Sequence, residues 1–136
     1  MFNLGDVISP AQAKRINPIV LAFVGDAVYS LFVRTKLVFS HDCKTGELNK
    51  LATKEVNAGA QAEFITKILP LLTEEEISFY KSARNAKKTT RAKHASVVDY
   101  NMSTGFEALF GWLWLKGDKE RLNELFEVIA NKIIEA

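Results

Sequence analysis

Residues 16–33, INPIVLAFVGDAVYSLFV, constrain the fold of this chain more than any other stretch. The run is apolar on nearly every side of a helix, so protein must cover most of it. Asp26 at its centre and an apolar part slightly short for a bilayer span make it a core helix rather than a membrane segment. Residues 102–115, MSTGFEALFGWLWL, have the same design, with Glu107 as their sole charge. Both runs are too long and too poor in turn residues to be strands. An ionised carboxylate in apolar surroundings needs a paired charge or a metal. No basic residue lies within a helical turn of either acid. Two readings follow: the acids share one divalent-metal site, or they stand at the solvated edge of two core helices.

The remaining chain reads as helices joined by short connections. Ser9-Pro10 opens a short helix through Arg15, and Asn17-Pro18 opens the long apolar one, expected to run to about Thr35. On it Ile19, Ala22, Asp26, Tyr29 and Val33 share a face, with Phe23, Ala27 and Ser30 toward a neighbouring one. Residues 39–46 read as a loop and residues 48–69 as one helix, with Pro70 at its end. Thr73 and Glu76 form a capping-box pattern for the next helix. Ser96 or Asp99 caps the helix that carries Glu107, which should stop near Lys116-Gly117. Asp118 opens the last helix, with Leu122, Leu125, Phe126, Ile129, Ile133 and Ile134 as its core stripe. No strand, repeat or linker is expected, so the chain reads as all-α and as a single domain over residues 1–136. One cysteine, Cys43, excludes an internal disulfide and a cysteine-rich metal site. That count and the lack of a charged-then-apolar leader fit a cytoplasmic protein.

Charge is distributed unevenly. Residues 77–98 hold six basic side chains (Lys81, Arg84, Lys87, Lys88, Arg91, Lys93), together with His94, and no acid. The rest of the chain has 12 basic against 16 acidic residues, a net −4. A basic block on an acidic remainder is the footprint of a phosphate backbone. Residues 84–94, RNAKKTTRAKH, have no apolar period and read as an exposed loop.

Within this frame the two acidic stretches become specific. FVGDAVYSLFV resembles the signature helix of the ribonuclease III family, whose usual form is acid-Phe-Leu-Gly-Asp-Ala. FEALFGWLWLKGD resembles that family's second acidic motif, and residues 48–64, LNKLATKEVNAGAQAEF, resemble the helix between the two. A chain that ends soon after its last helix, with a basic insertion before the second motif, is similar to the Mini-ribonuclease III branch. The resemblance implies a ribonuclease III-like helical bundle acting as a dimeric, Mg²⁺-dependent endonuclease on double-stranded RNA. It implies Asp26 and Glu107 as catalytic and metal-ligating residues, and Phe23 as the aromatic that plugs into the partner subunit. It also implies maturation of precursor large-subunit (23S) ribosomal RNA, with a ribosomal protein as a helper. Without a separate RNA-binding domain, a basic loop around residues 84–95 is left to grip the duplex through Arg84, Lys87, Lys88, Arg91 and Lys93.

The chain departs from the family pattern at three positions. Ile19, Ala22 and Thr104 stand where acids are usual. The losses leave open a non-catalytic module that binds structured RNA within a larger particle. Retention of both Asp26 and Glu107 in apolar settings favours the nuclease. Asp99 and Tyr100 read as cap and packing residues, Lys50 as solvated, and Trp112 and Trp114 as core.

Overall fold

Proline and small capping residues set where the helices begin. The computed structural model describes residues 1–88 and 95–135, with side chains described through residue 130. Among them are seven α-helices and no strand. Helix α1 (Pro10–Arg15) starts from a full capping box between Ser9 and Gln12. Helix α2 (Pro18–Ser40) starts from Asn17, whose side chain accepts from the Ile19 amide at 2.8 Å. Helices α3 (Thr45–Glu55), α4 (Ala58–Ile68), α5 (Glu74–Asn85), α6 (Val97–Leu115) and α7 (Lys119–Glu135) follow. A 3₁₀ turn, Leu69–Leu71, holds Pro70 after α4.

The two apolar stretches form the central pair, α2 against α6, with α4 and α5 on the flanks of α6. Their backbones touch. A methyl group at Gly25 would collide with the carbonyl of Glu107, and one at Gly111 with the carbonyl of Leu21. No side chain but hydrogen allows that approach. Tyr29 is fully buried beside this crossing, edge-on to Phe106 at 5.0 Å, and its hydroxyl donates to the Glu55 carbonyl at 3.3 Å. Helix α7 closes the core through buried Leu122, Leu125 and Ile129, while Phe126 stacks on Phe32 at 4.0 Å. Arg121 of α7 clasps buried Glu76 of α5 through two nitrogens, each at 2.8 Å, and donates to the Leu71 carbonyl. That bidentate pair fixes α5 and the 3₁₀ turn to α7.

Several boundaries differ from those expected. Helix α2 continues past Thr35 to Ser40, because Leu37 is buried and Lys36 pairs with Glu55 at 3.2 Å. The expected loop at 39–46 accordingly shrinks to a few residues before Thr45. The single helix expected over 48–69 is two, broken at Val56-Asn57. Asn57 does both halves of that job. Its amide donates to the Thr53 and Lys54 carbonyls at the end of α3, and its Oδ1 accepts from the Ala60 amide to open α4. The starts expected at Ser9-Pro10, Asn17-Pro18 and Thr73 read correctly. The loop expected over residues 84–94 starts later, since α5 runs to Asn85. Residues 89–94 and the side chains of Ile133 and Ile134 lie outside the described residues. Ser96, not Asp99, caps α6. Gly117, at φ 81°, ends it in a left-handed turn closed by the Gly117 and Asp118 amides.

Candidate active site

The glycine crossing brings the two acids together. Gly25 rests on the backbone of Glu107, and Asp26 is the next residue, so the two carboxyls meet at hydrogen-bonding reach. Asp26 is exposed and Glu107 half-buried, so the pair sits at the mouth of the α2–α6 seam and not inside the core. Burial raises the pKa of Glu107, and the adjacent Asp26 raises it further, to about 9. Without a cation, Glu107 is protonated at neutral pH. No lysine or arginine forms an ion pair with either carboxylate among the described residues. A hard cation would relieve this crowding. Mg²⁺ takes oxygen ligands, uses only one or two carboxylates and keeps several waters. An exposed Asp26 leaves room for such waters. No cluster of three or more His, Cys, Asp or Glu side chains capable of holding a metal occurs among the described residues, so this donor set is a pair.

The positions where acids were missing do not supply substitutes. Ala22 is a buried methyl and Ile19 a half-buried hydrocarbon. Thr104 is buried, and its hydroxyl donates back to the Tyr100 carbonyl at 2.9 Å, as Ser103 does at 2.8 Å. Asp99 lies near Gly59 in the first turn of α4, a suitable place for an acid at a helix N-terminus, and it is not among the groups acting on Glu107. Lys50 is exposed, Trp112 buried and Trp114 half-buried, as expected.

One residue of the site went unnoticed in the sequence. Gln61 of α4 is only 4% exposed and stands by Glu107, where it pulls the carboxyl back toward its ionised form. Its Nε2, the group that would donate to that carboxyl, is buried and makes no hydrogen bond of ordinary geometry among the described residues. Such an orphan amide costs about 1–3 kcal/mol. Spacing could not reveal it, because a glutamine in an alanine-rich helix looks like a surface residue until the neighbouring helix is placed.

The family comparison rests on the same residues. The family model for the Ribonuclease III domain matches residues 19–118, which include both acids, the glycine crossing and the basic stretch. The chain belongs to the ribonuclease III family. It is an endoribonuclease of the ribonuclease III type, a class that acts on double-stranded RNA. It is similar to Mini-ribonuclease 3 of Clostridium tetani (strain Massachusetts / E88), 43% identical over 129 residues covering 94% of this chain and 85% of that one. It is likewise 46% identical over 120 residues to Mini-ribonuclease 3 of Streptococcus pneumoniae (strain ATCC BAA-255 / R6), covering 87% and 94%. The crystal structure of protein FN1578 from Fusobacterium nucleatum superposes with a TM-score of 0.80 at 28% identity, covering 88% of this chain and 95% of that one. The all-α ribonuclease III-like fold expected from the motifs is therefore the fold found.

In this ribonuclease III-family chain the basic residues are not equivalent. Lys87 is exposed. Arg84 lies over the Tyr80 ring at 5.4 Å, with its Nε donating to Asn85. Lys88 is engaged inward. Its Nζ donates to the Ala83, Arg84 and Ala86 carbonyls at 2.8, 3.0 and 2.8 Å, and burial holds its pKa below the usual lysine value. All three ammonium donors thus close the C-terminal end of α5. Arg91 and Lys93, like His94, lie outside the described residues. Phe23 is 80% exposed in the protomer, on a face of α2 that also shows Val20, Ala27, Leu31 and Val38 to solvent. Helix α2 is long and apolar enough, by length and composition, to cross a membrane. Its opposite face, with Leu21, Ala22, Tyr29, Val33 and Leu37, is buried in the core.

Proposed function

We propose that this chain is a Mg²⁺-dependent endoribonuclease in which Asp26 and Glu107 hold one catalytic cation, two copies of the chain making up the working enzyme. The observation that carries the reading is the convergence of two carboxyls at the mouth of a helix seam, with no basic partner among the described residues. When bound, Mg²⁺ supplies polarisation of the scissile phosphate and a more acidic water for in-line hydrolysis, leaving a 5′-phosphate and a 3′-hydroxyl. The chain itself does the rest. Asp26 presents anionic oxygens from the solvent side, and Glu107 closes the pair from the protein side. Gly25 sets the spacing between them. The basic segment around residues 84–95 supplies phosphate contacts through Arg84, Lys87, Arg91 and Lys93, with Lys88 anchoring the start of the segment. A-form RNA exposes phosphates and 2′-hydroxyls across its shallow groove, so such contacts grip a duplex without reading much sequence.

A dimer follows from the exposed stripe Val20–Phe23–Ala27–Leu31–Val38. It runs at helical spacing along one side of α2, and a second copy is its natural cover. A two-fold pair of sites also matches the pseudo-symmetry of a duplex and places one site on each strand. The family likeness supports precursor large-subunit ribosomal RNA as the target, the cytoplasm as the location and a ribosomal protein as a helper. The decisive assay incubates a perfect RNA duplex with the protein in Mg²⁺ or in EDTA. Staggered cuts with 5′-phosphate ends in Mg²⁺ alone support the reading. Binding without cleavage returns the chain to the class of RNA-binding modules.

A further inference from the structure

Gln61 is the one buried side chain with an unpartnered nitrogen among the described residues. Its neighbours on α4 give it no structural reason to be polar. On α4 its neighbours Ala62, Phe64, Ile65 and Ile68 are buried and apolar, and a leucine would fill a helical core position equally well. The other buried polar side chains have partners: Ser103 and Thr104 reach the Tyr100 carbonyl, and Glu76 is held by Arg121 and Thr73. The Gln61 amide instead stands beside the Glu107 carboxyl at the candidate metal site.

We propose that Gln61 is a positioning residue for Glu107, its Nε2 donating to one carboxylate oxygen while the other faces the cation shared with Asp26. This inference rests on the proposed metal role of the carboxylate pair. A carboxylate that ligates through one oxygen keeps acceptor capacity on the other, and metal ligands are held in orientation by donors of this kind. A neutral donor suits the place better than a basic one. A lysine or arginine there would form an ion pair with the two acids and compete with the metal for them. Orientation also matters more in this chain than in a site with four carboxylates. Ala22 and Ile19 offer no oxygen, and the Thr104 hydroxyl is committed to Tyr100, so two side chains must define the cation's position.

The test compares Gln61→Leu with Asp26→Asn and the wild type, using Mn²⁺ alone, followed by electron paramagnetic resonance, and Mg²⁺ in the cleavage assay. For Gln61→Leu, Mn²⁺ affinity should fall about tenfold or more. The rate at saturating RNA should fall with it, the KM for RNA should stay put, and the melting temperature of the metal-free protein should hold or rise. A residue kept for packing would show the reverse: lower stability and unchanged metal affinity. If Asp26→Asn weakens Mn²⁺ binding but Gln61→Leu does not, the role of Gln61 is refuted and the metal site stands. If neither variant changes Mn²⁺ binding, the metal site itself is refuted, and the inference with it. A measurement on the unmutated protein decides the matter should Gln61→Leu not fold. The side-chain amide protons of Gln61 should shift downfield and gain exchange protection on saturation with Mg²⁺, and unmoved signals overturn the proposal.

Discussion

Replacing Gly25 by alanine tests how the α2–α6 crossing builds the site. The added methyl would lie 2.5 Å from the carbonyl carbon of Glu107 and 2.9 Å from the Gly111 nitrogen, where ordinary contact is 3.4–4 Å. Both obstacles are backbone of a helix whose residues 103–106 and 108–113 are buried, so neither can swing aside. The helices must part by about 1 Å or more, a change of the kind that costs cores about 1–3 kcal/mol. The gain in helix propensity from glycine to alanine, about 1 kcal/mol, offsets part of that. The net loss should lower the melting temperature by several degrees, at about 4 °C per kcal/mol for a domain this size. Activity should suffer more. The separation opens directly between Asp26 and Glu107, and a misplacement of about 1 Å can cost about 100-fold in rate. The assay is cleavage of duplex RNA at saturating substrate, at a temperature where circular dichroism shows the variant folded. Gly111→Ala is the control, since its methyl meets the Leu21 carbonyl and not that of Glu107. It should lose similar stability with a smaller loss of rate. A Gly25→Ala protein with wild-type stability and rate would refute the argument.

Two further predictions concern charge. Glu107 has a folded pKa of about 9 against an ordinary 4.5, so its contribution to the metal-free protein's stability is fully present below pH 4.5. That contribution is lost as pH rises toward 9; urea unfolding in EDTA between pH 5.5 and 8.5 should show a downward slope that Glu107→Gln flattens, and an equal slope in the variant would count against the shift. Lys87→Ala should weaken duplex binding and reduce its salt dependence by about one phosphate contact, with stability unchanged. Lys88→Ala should instead cost about 1 kcal/mol of stability by uncapping α5, and equal effects of the two lysines on salt dependence and stability would contradict their separation.

The central helices were legible because an apolar run that long and that poor in turn residues leaves few alternatives to a helix, although α2 buries only one face in the core and leaves Val20, Phe23, Leu31 and Val38 exposed. The acids were legible for the same reason, as lone charges inside those runs. The break at Asn57 was missed because residues 48–64 keep an apolar period through it. Only the paired caps, Asn57 to Thr53 and to Ala60, show that one residue ends one helix and begins the next. Lys88 could not be told from its basic neighbours, since a lysine that caps and a lysine that faces solvent look alike without the carbonyls around them. The face shared by Asp26 with Ala22, Tyr29 and Val33 was legible only in part. Those three are buried, but Asp26 is exposed. Gln61 required the packing of α4 on α6, which no local pattern encodes.

The account stands most directly on the binding of one cation by Asp26 and Glu107. Calorimetric titration of the metal-free protein with Mg²⁺ at pH 7, in two buffers of different ionisation heat, measures both stoichiometry and proton release. One ion per protomer and about one proton released are expected, because Glu107 must ionise to ligate. Asp26→Asn and Glu107→Gln should each remove most of the binding, and Glu107→Gln should also abolish the proton release. Mg²⁺ binding that persists undiminished in both variants would contradict the account.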